Sequence, residues 1–156
     1  KILFVSDYGA EEEVVTRLAR VGYDFAIGYL DGGMEAWKAS GFEIDTVDEV
    51  EGYMYAKLHK EGNLNLLDVR RASEFDAQHV KGALNFPLDF INKNMAQLDR
   101  NRRYYVQCAS GYRSVIAISI LKARGFEHLV NVRGGINELS LTDIPLTEFV
   151  EQSTEL

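Results

Sequence analysis

From Leu64 onward, short apolar runs alternate with helix-like stretches, and this alternation restricts the fold more than any other property of the chain. "LNLLDV" reads as a buried strand, and Ala72 to His79 as a polar helix. "ALNFPL" is a second short strand, closed by Pro87. "DFINKNMAQL" predicts a helix capped by Asp89, with apolar positions at Phe90, Ile91, Met95 and Leu98. "RYYVQ" is a third strand. Val115 to Lys122 is apolar nearly all round, as a helix pressed on a sheet should be, and Gly125 ends it. "LVNV" supplies a fourth strand before the Gly134–Gly135 pair. The order predicts an α/β fold, a parallel sheet flanked by helices on both faces.

The first 45 residues repeat the later part of this pattern. "ILFV" matches "YYVQ", "EVVTRLARVGYD" matches "IAISILKARGFE", and "AIGYLDGGMEAW" matches "LVNVRGGINEL". "DEVEGYMYAKLHK", Asp48 to Lys60, predicts a helix leading into the second unit. The expected organisation is therefore the C-terminal half of a second, degenerate unit over 1–47, a complete unit over 48–146, and a C-terminal tail over 147–156. Lys1 runs directly into the strand-like "ILFV" without a signal-peptide pattern. Because half a unit precedes a whole one and the first residue is Lys rather than Met, the chain is expected to be a fragment whose upstream part completes the first unit.

Composition narrows the class. With 46% hydrophobic and 26% charged residues the chain reads as an ordinary soluble globular protein. No run approaches the roughly 20 apolar residues of a membrane span. A single cysteine excludes an internal disulfide and suits a reducing compartment, the cytoplasm. His59, His79 and His128 are scattered without Cys/His ligand spacing, so no metal is expected in this chain. Net charge is −7, with 6 basic and 13 acidic groups in residues 1–63 and 11 of each thereafter. Arg100 to Arg133 holds seven basic residues against the single acid Glu127, a balance that favours a small anionic substrate and a thiolate. Nucleic acid is not an expected partner.

The only cysteine lies inside that basic window, in Cys108-Ala109-Ser110-Gly111-Tyr112-Arg113. It follows a strand, and Arg113 opens a helix. Such a loop can curl so that its N–H groups converge, and the helix N-terminus adds about half a positive charge at the same place. Gly111 supplies the positive φ that the curl demands. A thiolate there is stabilised by those donors and by Arg113, while Ser114 can cap the helix or donate to a bound anion. The recipe is that of a nucleophile for a small anionic or sulfur electrophile, with the sulfur open to solvent. The alternative is a small, inert, buried side chain. Asp68, at the C-terminal end of its strand, can orient Arg113 or the loop amides, or else simply pair with Arg70. Arg70, Glu74 and His79 read as structural, with Arg70 and Glu74 pairing at i, i+4. Tyr112 sits at the loop's crest and shapes its mouth.

These stretches resemble the rhodanese family along nearly the whole second unit. "LLDVRRASEFDAQHVKGALNFPL" is similar to the family's signature through Asp68, Arg70, Glu74, Phe75, His79, Gly82 and Ala83, "CASGYRS" to its active-site loop, and "VRGGINEL" to its closing Gly-Gly helix start. The resemblance implies a sulfurtransferase in which Cys108 takes a sulfane sulfur from thiosulfate or a persulfide and passes it to a thiol or cyanide. Amides of Ala109, Ser110, Gly111, Tyr112 and Arg113 would hold the terminal sulfur. It implies no cofactor beyond that covalent persulfide. Related arsenate reductases and phosphatases use a loop one residue longer, which places them behind sulfur transfer; a non-catalytic interaction or regulatory module is the other reading.

The first unit departs from the pattern. Aligning Val5 with Val106 sets Asp7 opposite Cys108, no cysteine or arginine fills the loop, and Glu11 to Glu13 would repel an anion. It is expected to pack, contact another domain or regulate. "ARVGYDFAIGYLDGGMEAW" is similar to rhodanese-like regions fused to metallo-β-lactamase-fold proteins, so any metal would belong to a missing upstream domain. Expected partners are small anionic sulfur donors, thiol acceptors, that upstream domain, and a second copy of the chain through exposed strands.

Overall fold

The computed structural model describes residues 1–62 and 64–151, and the chain divides into two units, Lys1–Thr46 and Val47 onward. In the first, β1 (Ile2–Phe4) pairs in parallel with β2 (Ala26–Tyr29), and each strand is followed by a helix, α1 (Glu11–Arg20) and α2 (Gly33–Ala39). Two strands and two short helices cannot bury both sheet faces. Leu3, Val5, Phe25, Ile27 and Tyr29 accordingly remain half or more exposed.

The second unit runs β3 (Asp48–Glu51), α3 (Gly52–Glu61), β4 (Leu66–Asp68), α4 (Ala72–Ala77), β5 (Leu84–Asn85), α5 (Ile91–Asn94), β6 (Tyr104–Gln107), α6 (Tyr112–Lys122), β7 (Leu129–Arg133) and α7 (Gly135–Leu139). Its five strands are all parallel, in the order β3-β7-β6-β4-β5. Strand alternation divides its apolar residues between two layers. Leu67, Val69, Tyr104, Val106 and Leu129 pack with Ala117, Ile118 and Leu121 of α6 on one face. Leu66, Tyr105 and Val132 pack with Tyr55 and Ala56 of α3 and Ile136 and Leu139 of α7 on the other. Burial on both faces is why these strands read as continuous apolar runs.

Two expected helices differ. Asp48–Glu51 is a strand, because it can register against Val130 to Arg133 as the sheet's edge; the helix starts at Gly52. The "DFINKNMAQL" stretch breaks into α5 between 3₁₀ turns at Leu88–Phe90 and Met95–Gln97. Asp89 caps nothing and faces Arg71 instead at 3.7 Å. Asparagines and a β-branched isoleucine sustain a helix poorly, and burial of Ile91 and Leu98 holds this segment in place.

The expected tail is docked as far as it is described: Thr147 and Val150 donate their N–H groups to His79 and Ala77. Residues 152–156 of the tail lie outside the described residues. Among the described residues no helix is long and apolar enough to cross a membrane.

Candidate active site around Cys108

From β4 the chain steps outward to β5, then returns past β4 to β6 and onward to β7, so the strand order reverses between β4 and β6. Ligands of open parallel sheets bind beyond the C-terminal ends of strands at such a point. Asp68 ends β4 and Cys108 follows β6, which brings both to this crevice.

Between β6 and α6 the loop wraps back on the cysteine. Gly111, at φ 106°, turns the chain into the helix, and its N–H reaches Cys108 Sγ at 3.2 Å. Ser114 Oγ lies 3.7 Å from the same sulfur. The loop's carbonyls point the other way. Cys108 O accepts from Ile136 N at 2.8 Å and Ala109 O from Asn137 N at 3.1 Å, both at the start of α7. That approach is why the double glycine is needed: a Cβ on Gly135 would stand 2.3 Å from Cys108 O. In the first unit Gly33 keeps the same relation, with a Cβ site 2.8 Å from Ser6 O, although no cysteine is there to be served.

Burial by itself would push the Cys108 thiol up. The amide and hydroxyl of Ser114, with the amides of Gly111 and Ser110, outweigh it and hold the thiol below its ordinary value. Contrary to the expectation from the loop, the sulfur is not open to solvent: Cys108 is 1% exposed, because side-chain alternation continuing from β6 points it with Val106 into the α6 layer.

Arg113 stands beside this centre, yet its guanidinium is held by Glu74 of α4, Nη1 to Oε2 at 2.6 Å and Nη2 to Oε1 at 2.8 Å. The pair raises Arg113 and lowers Glu74, and the Cys108 thiolate adds to the upward pull on Arg113. Glu74 also caps α4 by accepting Arg71 N–H. The expected Arg70–Glu74 pair is not formed. Arg70 instead forks onto Asp68, Nη2 to Oδ2 at 2.6 Å and Nε to Oδ1 at 2.9 Å, and reaches Gln78 O. Asp68, wholly buried, is thereby committed to Arg70 and does not orient Arg113. His79 lies flat on Phe75, ring centroids 3.6 Å apart.

Ala109 and Ser110 form the loop's outer side, and Tyr112, 77% exposed, stands at its rim. A cleft of about 190 Å³ beside the loop is lined by Val69, Arg71, Glu74, Leu88, Asp89 and Arg113. Within the basic window, Arg113 faces Glu74, Arg133 faces Glu49 and Glu51, and Arg100 lies over the Phe126 ring. The sequence reading passed over Asn131, Gly135's packing against the loop and Glu74's partner, all contacts between segments far apart in the chain. Among the described residues no three His, Cys, Asp or Glu side chains converge as a metal ligand set.

A buried cysteine cradled by helix-start amides, at the switch point of a five-stranded parallel sheet, defines a class of α/β domains suited to stabilising an anion. Residues 52–142 match the rhodanese-like domain family, and the chain belongs to it. The Escherichia coli thiosulfate sulfurtransferase PspE is 31% identical over 80 residues, 50% of this chain and 76% of that protein. YrkF of Bacillus subtilis is 34% identical over 82 residues, 53% of this chain; the match spans 44% of YrkF's own length. The crystal structure of a rhodanese-like domain protein from Staphylococcus aureus superposes with a TM-score of 0.58 at 28% identity, covering 67% of this chain and all of that one.

Proposed function

We propose that this chain is a rhodanese-type sulfurtransferase with Cys108 as sulfur carrier. The observation that supports it most is the Gly111 N–H aimed at Cys108 Sγ from 3.2 Å, in a loop whose amides lower the thiol. The thiolate attacks the outer sulfur of thiosulfate or a persulfide. The donor's S–S bond breaks and its electron pair leaves with sulfite or a thiolate, and a new S–S bond makes Cys108 a persulfide. The loop amides then face the terminal sulfur's negative charge. A thiol or cyanide attacks that sulfur, and Cys108 departs as thiolate. Because Cys108 is 1% exposed, sulfur transfer requires the cover over the sulfur to open for the donor.

Incubation with thiosulfate or glutathione persulfide should add the mass of one sulfur to the protein, and cyanide should remove it as thiocyanate. Cys108→Ser should do neither. Equal turnover by wild type and Cys108→Ser would overturn the reading.

The same burial favours a second reading, a rhodanese-like interaction or regulatory module whose loop is retained without turnover. A thiol that resists alkylation near neutral pH would favour it. We further propose, from the sequence resemblance of "ARVGYDFAIGYLDGGMEAW" alone, that a metal-dependent domain upstream shares the persulfide with Cys108 in the cytoplasm.

A further inference from the structure

Ser114 Oγ carries one hydrogen, and three acceptors surround it: Asn131 Oδ1 at 2.6 Å, Gly111 O at 2.8 Å and Cys108 Sγ at 3.7 Å. Asn131, on β7 and 2% exposed, donates Nδ2 to Glu49 Oε1 of β3 at 2.9 Å. An ionised carboxylate only accepts, so Glu49 obliges Asn131 to turn its NH₂ outward and its carbonyl toward Ser114. The opposite amide orientation would set two acceptors face to face. Asn131 Oδ1, at 2.6 Å the nearest of the three acceptors and ahead of Gly111 O at 2.8 Å, thus draws the hydroxyl hydrogen away from the more distant sulfur.

We propose that Glu49 is a positioning residue that, through Asn131, draws the Ser114 hydrogen away from the resting thiol, so that the hydroxyl assists ionisation less than it would if Asn131 released it. On ionisation the thiol proton leaves to solvent or a bound base. The Ser114 hydrogen swings from Asn131 Oδ1 to Sγ, and Asn131 loses that donor. The charged groups around the relay are Arg133, whose Nε lies 3.7 Å from Glu49 Oε2, and Glu51, which takes Arg133 Nη1 at 2.8 Å; at the sulfur they are Arg113 and its partner Glu74. Glu49 is 42% exposed at its side chain, within reach of solvent or a partner that could neutralise it. Such neutralisation would activate the thiol.

This rests on Cys108 being the nucleophile, but its test needs no sulfur transfer. Cys108 is the sole cysteine, so thiolate absorbance and the pH profile of iodoacetamide alkylation report on it alone. In Glu49→Gln the Asn131 amide is free to turn, and the thiol pKa should fall by roughly 0.5–1 unit, the equivalent of one hydrogen bond. In a Ser114→Ala background, and separately in Asn131→Val, Glu49→Gln should leave the pKa where it was. No shift with Ser114 present would overturn the proposal. So would an equal shift in both backgrounds, since the carboxylate would then act on the sulfur through space. Loss of sulfur transfer with this pattern intact would remove the functional reading and leave the relay standing.

Discussion

Glu74 holds Arg113 with both carboxylate oxygens, at 2.6 and 2.8 Å, and so joins α4 to the loop that carries Cys108. Both side chains are about one-third exposed, which limits the pair's worth to roughly 1 kcal/mol even in this forked geometry. Glu74→Gln should therefore lower urea stability by about that amount. By releasing Arg113 it should slow Cys108 persulfidation roughly 3–10-fold, as followed by mass spectrometry.

The same pair sets an acid limit. Arg113 holds the Glu74 carboxyl below its ordinary value, so its contribution is complete above about pH 4.3 and is lost as pH falls through the lower folded value. Urea midpoints of wild type and Glu74→Gln should differ at pH 7 and draw together progressively as pH falls below about 4.3.

Replacing Gly135 with alanine tests the cradle from behind. The new Cβ would meet Cys108 O at 2.3 Å and Ala109 C at 2.9 Å, on a backbone at φ +54°. A loss of about 2–4 kcal/mol is expected, with the thiol pKa rising toward the ordinary value near 8.5 as the amides are pushed aside. Chemical denaturation and alkylation profiles of the same variant check both.

Asp68→Ala should be more damaging than its distance from the sulfur suggests. It strands the Arg70 guanidinium, 7% exposed, without its carboxylate, at about 3–5 kcal/mol. Thermal unfolding checks it, and a loss below 1 kcal/mol would mean Arg70 finds another acceptor.

Gln107 presents the reverse case. It is wholly buried, and neither side-chain amide atom has a partner among the described residues. Gln107→Met should leave stability unchanged or raise it by up to about 2 kcal/mol, measured by urea denaturation, since no bond is broken and an unsatisfied amide is removed.

The periodicity of the chain by itself determined the parallel sheet, the positions of β4, β6, α6 and β7, and the loop that holds Cys108. These follow from which residues are apolar and where glycine permits a turn, and both are local. The edge strand Asp48–Glu51 escaped because its sequence is acidic and its strand state comes from β7, more than 80 positions away. Pairing of charges was decided at the same range. Arg70 has Asp68 two positions off and Glu74 four, and spacing alone allows either; only the folded crevice gives Asp68 to Arg70 and Glu74 to Arg113. The burial of Cys108, and the Ser114–Asn131–Glu49 line behind it, depend on three neighbouring strands meeting in one register. Hydrogen bonds between side chains require that their elements be placed first, and no spacing within one segment encodes that placement.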